Sequence, residues 1–191
     1  PTQSGATPLI IACLKFHSDI VRVLLQSNDI QINQPTKDGT TPLFIACSKG
    51  HLGIVRVLLQ SNDLQINQPT KTGATPLISA CFKGHLDIVR ELLQSNDIQI
   101  NQPLKDGSTP LITACAKGHF DIVRVLLQSN DIQINQPNTN GATPLMIARH
   151  FRHNEILQLL ISNGATPPFS PPFRRGGIDH IGLHTIKKCL N

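Results

Sequence analysis

The chain has 191 residues, of which 39% are hydrophobic, 15% charged and 4% aromatic, and its formal net charge is +5. The hydrophobic fraction is too high for a disordered chain, and no apolar run reaches the roughly 18 residues that a membrane-spanning helix needs. No charged-then-apolar leader is present, so nothing predicts a signal peptide. We therefore expect a soluble, intracellular protein of the cytoplasm without a membrane partner.

Most of the positive charge lies near the C-terminus. Residues 1–140 carry 11 Lys and Arg against 10 Asp and Glu, whereas residues 141–191 carry 6 against 2. A basic end of this size is compatible with an acidic partner, although a solvated tail is the explanation that we favour. It falls well short of a nucleic-acid-binding signature, so we do not expect a nucleic-acid partner.

The chain is a tandem array. A Gly-x-Thr-Pro-Leu stretch opens five times at intervals of 34 residues, and segments 73–106 and 107–140 are identical at 26 of 34 positions. Self-similarity of this length is the signature of a stacked-repeat architecture. The opening glycines are Gly5, Gly39, Gly73, Gly107 and Gly141.

Each unit predicts two short helices and a turn. In the third unit Thr75 suits an N-cap and Pro76 the first helical position, and the glycine of Lys-Gly-His (83–85) is free to turn. Ile88, Val89, Leu92 and Leu93 then form the apolar stripe of a second helix, with Asp87 and Arg90 on its outer side. We expect Asn96 to end that helix in the left-handed conformation. Neither helix is long enough to be stable alone, so the units must stack.

These residues resemble the ankyrin-repeat family. Thr-Pro-Leu occurs five times, Lys-Gly-His three times and Ile-Val-Arg-x-Leu-Leu four times, over about residues 5–165. Two departures stand out: the period is 34 rather than 33, and an apolar residue replaces the histidine that follows Thr-Pro-Leu in the family. That histidine links neighbouring turns in the family, so its replacements must stabilise by packing instead. They are Ile10, Phe44, Ile78, Ile112 and Met146.

The resemblance implies an all-α ankyrin solenoid of about five repeats, occupying residues 1–165. Its repeats are 5–38, 39–72, 73–106, 107–140 and 141–165. At the start, we expect Leu9, Ala12 and Cys13 to be partly uncovered, and hence further repeats or another domain before Pro1. At the other end, Arg149 and Arg152 replace a recurring cysteine and a turn glycine, which favours a natural cap.

The segment 166–191 differs in composition from the repeats. Prolines interleaved with phenylalanines indicate an extended linker, and Ile178, Ile181, Ile186 and Leu190 fit one short amphipathic helix. A helix there would bring His180, His184 and Cys189 near one another, which is a weak basis for a metal site.

The other cysteines and histidines recur with the repeat and indicate structural roles. We expect the cysteines to be thiols in the core rather than disulfides, and the histidines to serve the turn before the second helix. We expect no cofactor and no metal. The cysteines are Cys13, Cys47, Cys81 and Cys115, and the histidines are His17, His51, His85 and His119.

No phosphate-binding loop, nucleophile elbow or metalloprotease helix is present, so the sequence does not predict an enzyme. We expect a monomeric protein-interaction module that recognises a partner through its turn tips and first helices, which the resemblance places on a concave face. Two alternatives stay open: a targeting or regulatory part of a larger enzyme, such as a kinase or ubiquitin ligase subunit, and a structural spacer.

Positions that differ between repeats, together with a lysine ladder, indicate the partner-binding residues. An exposed Phe82 beside Lys83 is a candidate anchor, because aromatic residues often dominate interface energy. The lysines would steer a partner with an acidic surface. The candidate residues are Leu14, Lys15, Lys37, Asp38, Thr40, Ser48, Lys49, Lys71, Thr72, Phe82, Lys83, Lys105, Asp106, Ala116 and Lys117.

Overall fold

The computed structural model of the chain describes residues 5–27 and 29–166, and within them it contains ten α-helices. They divide between two compact units, residues 1–99 and 100–191. The first unit holds α1 (Pro8–Leu14), α2 (Ser18–Leu24), α3 (Pro42–Lys49), α4 (Leu52–Leu59), α5 (Pro76–Lys83) and α6 (Leu86–Leu92). The second holds α7 (Pro110–Lys117), α8 (Phe120–Leu126), α9 (Pro144–His150) and α10 (Asn154–Ser162).

The first helix of each repeat begins at the predicted Thr-Pro pair. In α5 the hydroxyl of Thr75 accepts a hydrogen bond from the Ile78 amide at 3.2 Å, and Pro76 occupies the first turn. The hydroxyl satisfies an amide that has no partner within the helix, while proline brings no amide of its own to that turn. Gly84 then ends the helix with a φ of 81°, as the sequence predicts.

The second helix of each repeat begins after a histidine and ends earlier than we predicted. The last residue of α6 is Leu92, and its C-cap, Leu93, keeps a right-handed helical conformation. The prediction that Asn96 ends this helix in the left-handed conformation is wrong, because Asn96 does not have a positive φ. Among the described non-glycine residues, Phe16 and Arg152 do. The ends of these helices are instead closed by tight turns, such as Ser95 N–H donating to the Leu92 carbonyl at 3.2 Å.

The core of the first unit forms by stacking. Among the first helices, α1 contacts α3 and α3 contacts α5; among the second helices, α2 contacts α4 and α4 contacts α6. Leu77, Ala80 and Cys81 of α5 are buried, as are Ile88, Val89 and Leu92 of α6. The apolar faces that the sequence predicts are therefore the faces that pack.

The second unit repeats this arrangement. Here α7 contacts α9, α8 contacts α10, and each first helix also packs on its own second helix. Leu111, Ile112 and Cys115 are buried in α7, and Ile156 and Leu160 are buried in α10.

The residues that follow Thr-Pro-Leu pack into the core. Ile10, Phe44, Ile78 and Ile112 are buried and Met146 is half-buried. The expectation that these apolar residues stabilise by packing is thus confirmed. Neighbouring turn tips are joined instead by backbone: the Lys71 amide donates to the Asp38 carbonyl at 3.0 Å, and the Thr139 amide to the Asp106 carbonyl at 2.9 Å.

A side-chain clamp that we did not predict joins the loops after the second helices. The side-chain Nδ2 of Asn67 donates to the Asp97 backbone carbonyl at 2.6 Å, and its Oδ1 accepts from the Gln99 backbone amide at 2.9 Å. These partners lie thirty and thirty-two residues further along the chain. Asn33 makes the same pair of bonds to Asp63 and Gln65. In the second unit, Asn101 binds Asp131 and Gln133 in the same way.

The exposed apolar face of the first repeat is not the one that we expected. Leu9, Ala12 and Cys13 are buried because they face α2 and α3, so the prediction that they are uncovered is wrong. The exposed apolar residues of this repeat lie elsewhere on its two helices and on the turn between them. They are Ile11, Leu14, Phe16, Ile20 and Val23.

At the last repeat, Arg149 and Arg152 are exposed, whereas the cysteines that precede Arg149 in the register are buried. The predicted linker, the short helix of the tail and the His180, His184 and Cys189 group lie outside the described residues. Helix α10 ends at Ser162, and Ala165 is buried.

Candidate partner-binding surface

The predicted lysines lie at two places in each of the first three repeats, and at one of these places in the fourth. Lys49 and Lys83 are the last residues of α3 and α5, and Lys15 is the C-cap of α1. All three are exposed. In the second unit Lys117 closes α7 and is half-buried.

The turn tips carry the second set of lysines. Lys37, Asp38 and Lys71 are exposed in the first unit, where Thr40 and Thr72 are half-buried. Each tip is held by its own hydrogen bonds: the Thr36 amide donates to the Thr40 carbonyl at 2.9 Å, and the Thr36 hydroxyl accepts from the Thr40 amide at 3.1 Å. The tips are therefore fixed backbone platforms.

The tip at residues 104–107, in the second unit, uses a substitute for the threonine. Leu104, at the position of Thr36 and Thr70, is buried and brings no hydroxyl. Asp106 supplies the bond instead, its carboxylate accepting from the Ser108 amide at 2.9 Å. Lys105 is exposed beside it, and Asp106 is half-buried.

The variable position near the end of each first helix differs in exposure as well as in residue type. Leu14 is 41% exposed and Ser48 is half-buried, whereas Phe82 and Ala116 are each only 8% exposed. The expectation of an exposed Phe82 anchor is wrong, because α5 is covered along its whole apolar length from Pro76 to Phe82. The ammonium of Lys83 lies 5.5 Å from the centroid of the Phe82 ring, so Lys83 is the accessible member of the pair.

The histidines line the turn beside these lysines, as predicted. The Nε2 atom of His85 lies 3.3 Å from the Ser48 carbonyl oxygen of the preceding repeat. The His51 ring lies 4.5 Å from the Phe16 ring, centroid to centroid, in a tilted arrangement, and Phe16 takes the place of the turn glycine in the first repeat. Desolvation lowers the pKa of His51, and the nearby positive charge of Lys49 lowers it further.

Ion pairs are made by arginines of the second helices. Arg90 pairs with Asp87 at 3.5 Å and Arg124 with Asp121 at 2.7 Å, both within one helix. Arg56 has Gly53 where those helices have an aspartate, and it pairs with Glu91 of the next repeat at 2.8 Å. In the described part of the first unit, the row Lys15, Lys49 and Lys83 has no ion pair.

Burial disfavours the reactive form of three cysteine thiols. Burial raises the pKa of Cys13 to about 12, and it raises the pKa of Cys47 and Cys81 strongly as well. Since the thiolate is the reactive form, none of these three groups is activated at neutral pH. Across residues 5–27 and 29–166, no three or more His, Cys, Asp or Glu side chains converge as metal ligands would.

Pockets of about 270 to 330 Å³ are present, but their linings do not include the predicted partner-binding residues. The one of about 330 Å³ is formed by loop residues around Asn33 and Gln65, which belong to the clamp between repeats. The predicted lysines other than Lys117 are exposed and line none of these three pockets, which suits a macromolecular partner better than a small ligand.

Comparison with known proteins agrees with this architecture. The family model for ankyrin repeats, which describes three copies, matches residues 9–103 and again residues 97–169. A comparison with curated proteins returned no match. Proteins with ankyrin repeats generally use them to bind other proteins, and these repeats are typically non-catalytic. Among the described helices, none has the length and apolar character to cross a membrane. The match covers most of the chain, which belongs to the ankyrin-repeat family.

Proposed function

We propose that this chain is a non-catalytic recognition module that binds a partner protein with an acidic surface. In the first unit the binding surface comprises the helix-end lysines, the turn tips and the variable residues Leu14 and Ser48. In the second unit it comprises Lys105, Asp106 and Lys117 with their neighbours. The observation that carries the proposal is the exposed lysine row of the first unit, which has no ion pair within the described residues.

Two physical features support binding at this surface. The lysines are attached to capped helix ends and hydrogen-bonded tips, so little backbone order must be gained when a partner binds. Uncompensated charge of one sign also attracts an oppositely charged partner over distances near the Debye length, about 10 Å at 0.1 M salt.

The roles of Phe82 and Ala116 change in this proposal. Both side chains are buried, so neither offers contact area to a partner without rearrangement of the helix ends. Their packing instead fixes the helix ends that carry Lys83 and Lys117, and those two lysines contact the partner.

The test compares two charge variants of the full chain in a pull-down from cell lysate. One carries Lys15→Glu, Lys49→Glu and Lys83→Glu; the control carries Arg22→Glu, Arg90→Glu and Arg124→Glu, which changes the net charge equally on exposed residues of the second helices. Circular dichroism must show that both fold. We expect a partner that the unchanged chain and the arginine variant retain and that the lysine variant loses.

A partner retained equally by all three proteins would contradict the lysine surface. If no protein is retained by any of them, the spacer alternative gains support, for which the near-identity of the repeats is the favourable observation.

A further inference from the structure

The lysine row of the first unit has a regular spacing, and this limits what it can bind. Lys15, Lys49 and Lys83 occupy the same position at the ends of α1, α3 and α5, and these helices contact one another in sequence. Packed helices lie with their axes 8–10 Å apart. We therefore expect the helix ends that carry the three lysines to recur along the stack at about 8–10 Å.

The chain does not neutralise this row. In the described residues of the first unit, the ion pairs are made by arginines of the second helices. Arg90 pairs with Asp87, and Arg56 pairs with Glu91. At the neighbouring turn, desolvation lowers the pKa of His51, and the positive charge of Lys49 lowers it further. The row thus presents three exposed charges of one sign.

Candidate partners can be compared by their charge interval. In a polyproline-II segment every third residue falls on one side and recurs at about 9.3 Å, within the interval of the row. On a β-strand the residues of one face recur at about 6.6 Å, well below this interval, and on an α-helix the i, i+7 interval is about 10.5 Å, just above it. Double-stranded nucleic acid carries a charge every ~1.7 Å along its axis, so it would meet the row without selecting its interval, and it is kept as an outcome of the test.

We propose that the Lys15, Lys49 and Lys83 row binds an extended, polyproline-II-like segment of a partner protein that carries a carboxylate at every third residue. This inference rests on the proposed function, and adds to it the conformation and charge spacing of the bound segment. Each carboxylate of the segment meets one lysine, so that the segment runs across the repeats of the first unit.

Synthetic peptides test the spacing directly. Fluorescein-labelled (Glu-Pro-Pro)₃ is compared with a peptide of the same composition in which the three glutamates are contiguous, and binding to the full chain is followed by fluorescence anisotropy at low salt. An exposed ion pair contributes a factor of up to about 5 in affinity, so aligning all three pairs should favour the spaced peptide by about tenfold or more.

Two single variants locate the binding. Lys49→Gln removes the central charge and should weaken the spaced peptide about three- to fivefold, while Arg22→Gln removes an exposed charge of a second helix and should leave it unchanged. Equal binding of the two peptides, or equal behaviour of the two variants, would overturn the proposal. An oligothymidylate that binds more tightly than the spaced peptide and is weakened by Lys49→Gln would overturn it in favour of a nucleic acid.

The outcome separates this inference from the proposed function. If the lysine variant loses its partner in the pull-down but the two peptides bind alike, partner recognition stands and the every-third-residue spacing is wrong. If the pull-down is also insensitive to the lysines, both proposals fail.

Discussion

At the residue scale, the left-handed position after each first helix shows how closely the repeats approach one another. Gly50 and Gly118 have φ values of 78° and 75°, and a Cβ atom at either would lie within 2.7 Å of the Cε1 atom of a histidine in the next repeat. Glycine is therefore required there by both conformation and space. Phe16 in the first repeat of this sequence and Arg152 in the fifth take the same conformation, with φ values of 62° and 59°.

We predict opposite effects for two substitutions of this position in the second unit. Arg152→Gly should raise the free energy of unfolding by about 1 kcal/mol, since a left-handed non-glycine residue costs 1–2 kcal/mol. Gly118→Ala should lower it by about 2 kcal/mol or more, because it adds the conformational cost to a collision with His153. Urea unfolding followed by circular dichroism measures both. If Gly118→Ala proves neutral, the close approach of His153 is not rigid.

The buried thiols predict an alkaline loss of stability. Burial raises the pKa of Cys47 and Cys81 far above 9.0, their ordinary value, so above pH 9 the unfolded chain releases protons that the folded chain retains. The contribution of the buried thiols to the free energy of unfolding is therefore fully present below pH 9. It falls as the pH rises, by up to about 1.4 kcal/mol per pH unit for each thiol.

The test measures the free energy of unfolding by urea at pH 8 and at pH 10. It compares the unchanged chain with the double variant Cys47→Ala, Cys81→Ala. The double variant should lose less stability between the two pH values, whatever its stability at pH 8. Parallel losses would show that other groups, lysines included, account for the alkaline effect.

At the scale of the element, helix caps and turns could be predicted from the sequence, whereas contacts between repeats could not. Thr75, Pro76 and Gly84 lie where the sequence placed them because a cap and a turn depend on neighbours within four residues. The exposure of Phe82 was predicted wrongly, since its burial depends on packing of the whole helix rather than on its variability between repeats. The clamp residue Asn67 recurs visibly in the sequence, but its partners Asp97 and Gln99 belong to the following repeat. No spacing rule within one repeat could have identified them.

The clamp makes a prediction about how loops join one repeat to the next. Asn67→Ala removes one donor and one acceptor and leaves the Asp97 carbonyl and the Gln99 amide without those partners. With a net contribution of about 0.5–1.5 kcal/mol per hydrogen bond, the variant should lose about 1–3 kcal/mol in urea unfolding. Asn96→Ala is the control, an exposed asparagine of the same unit that takes no part in the clamp. Equal losses for the two variants would mean that water replaces the clamp at little cost.

At the scale of the whole molecule, the stability of a repeat depends on the neighbour that covers it. Ile20 and Ile54 occupy the same position in the first two repeats, yet Ile20 is 50% exposed and Ile54 is fully buried. Val23 and Val57 show the same contrast, at 64% and 7%. Chemically identical side chains therefore contribute different energies, because in a solenoid each repeat gains most of its burial from adjacent repeats.

This contrast leads to a prediction with an internal control. Ile54→Ala should lower the free energy of unfolding by about 2–5 kcal/mol, as expected for truncation in a closed core, whereas Ile20→Ala should cost under about 1 kcal/mol, since half of that side chain already contacts solvent. Native-state hydrogen exchange extends the test to the backbone. Amides of α2 should exchange through lower-energy openings than those of α4, because among the described helices α4 contacts two second helices, α2 and α6, and α2 contacts one. Equal costs for the two alanine variants would mean that coverage by the neighbour does not set repeat stability. A larger cost at Ile20 than at Ile54 would instead require that the exposed face of the first repeat is buried in solution. Either result would also alter the setting of the lysine row, because Lys15 follows directly on the exposed Leu14 of that repeat.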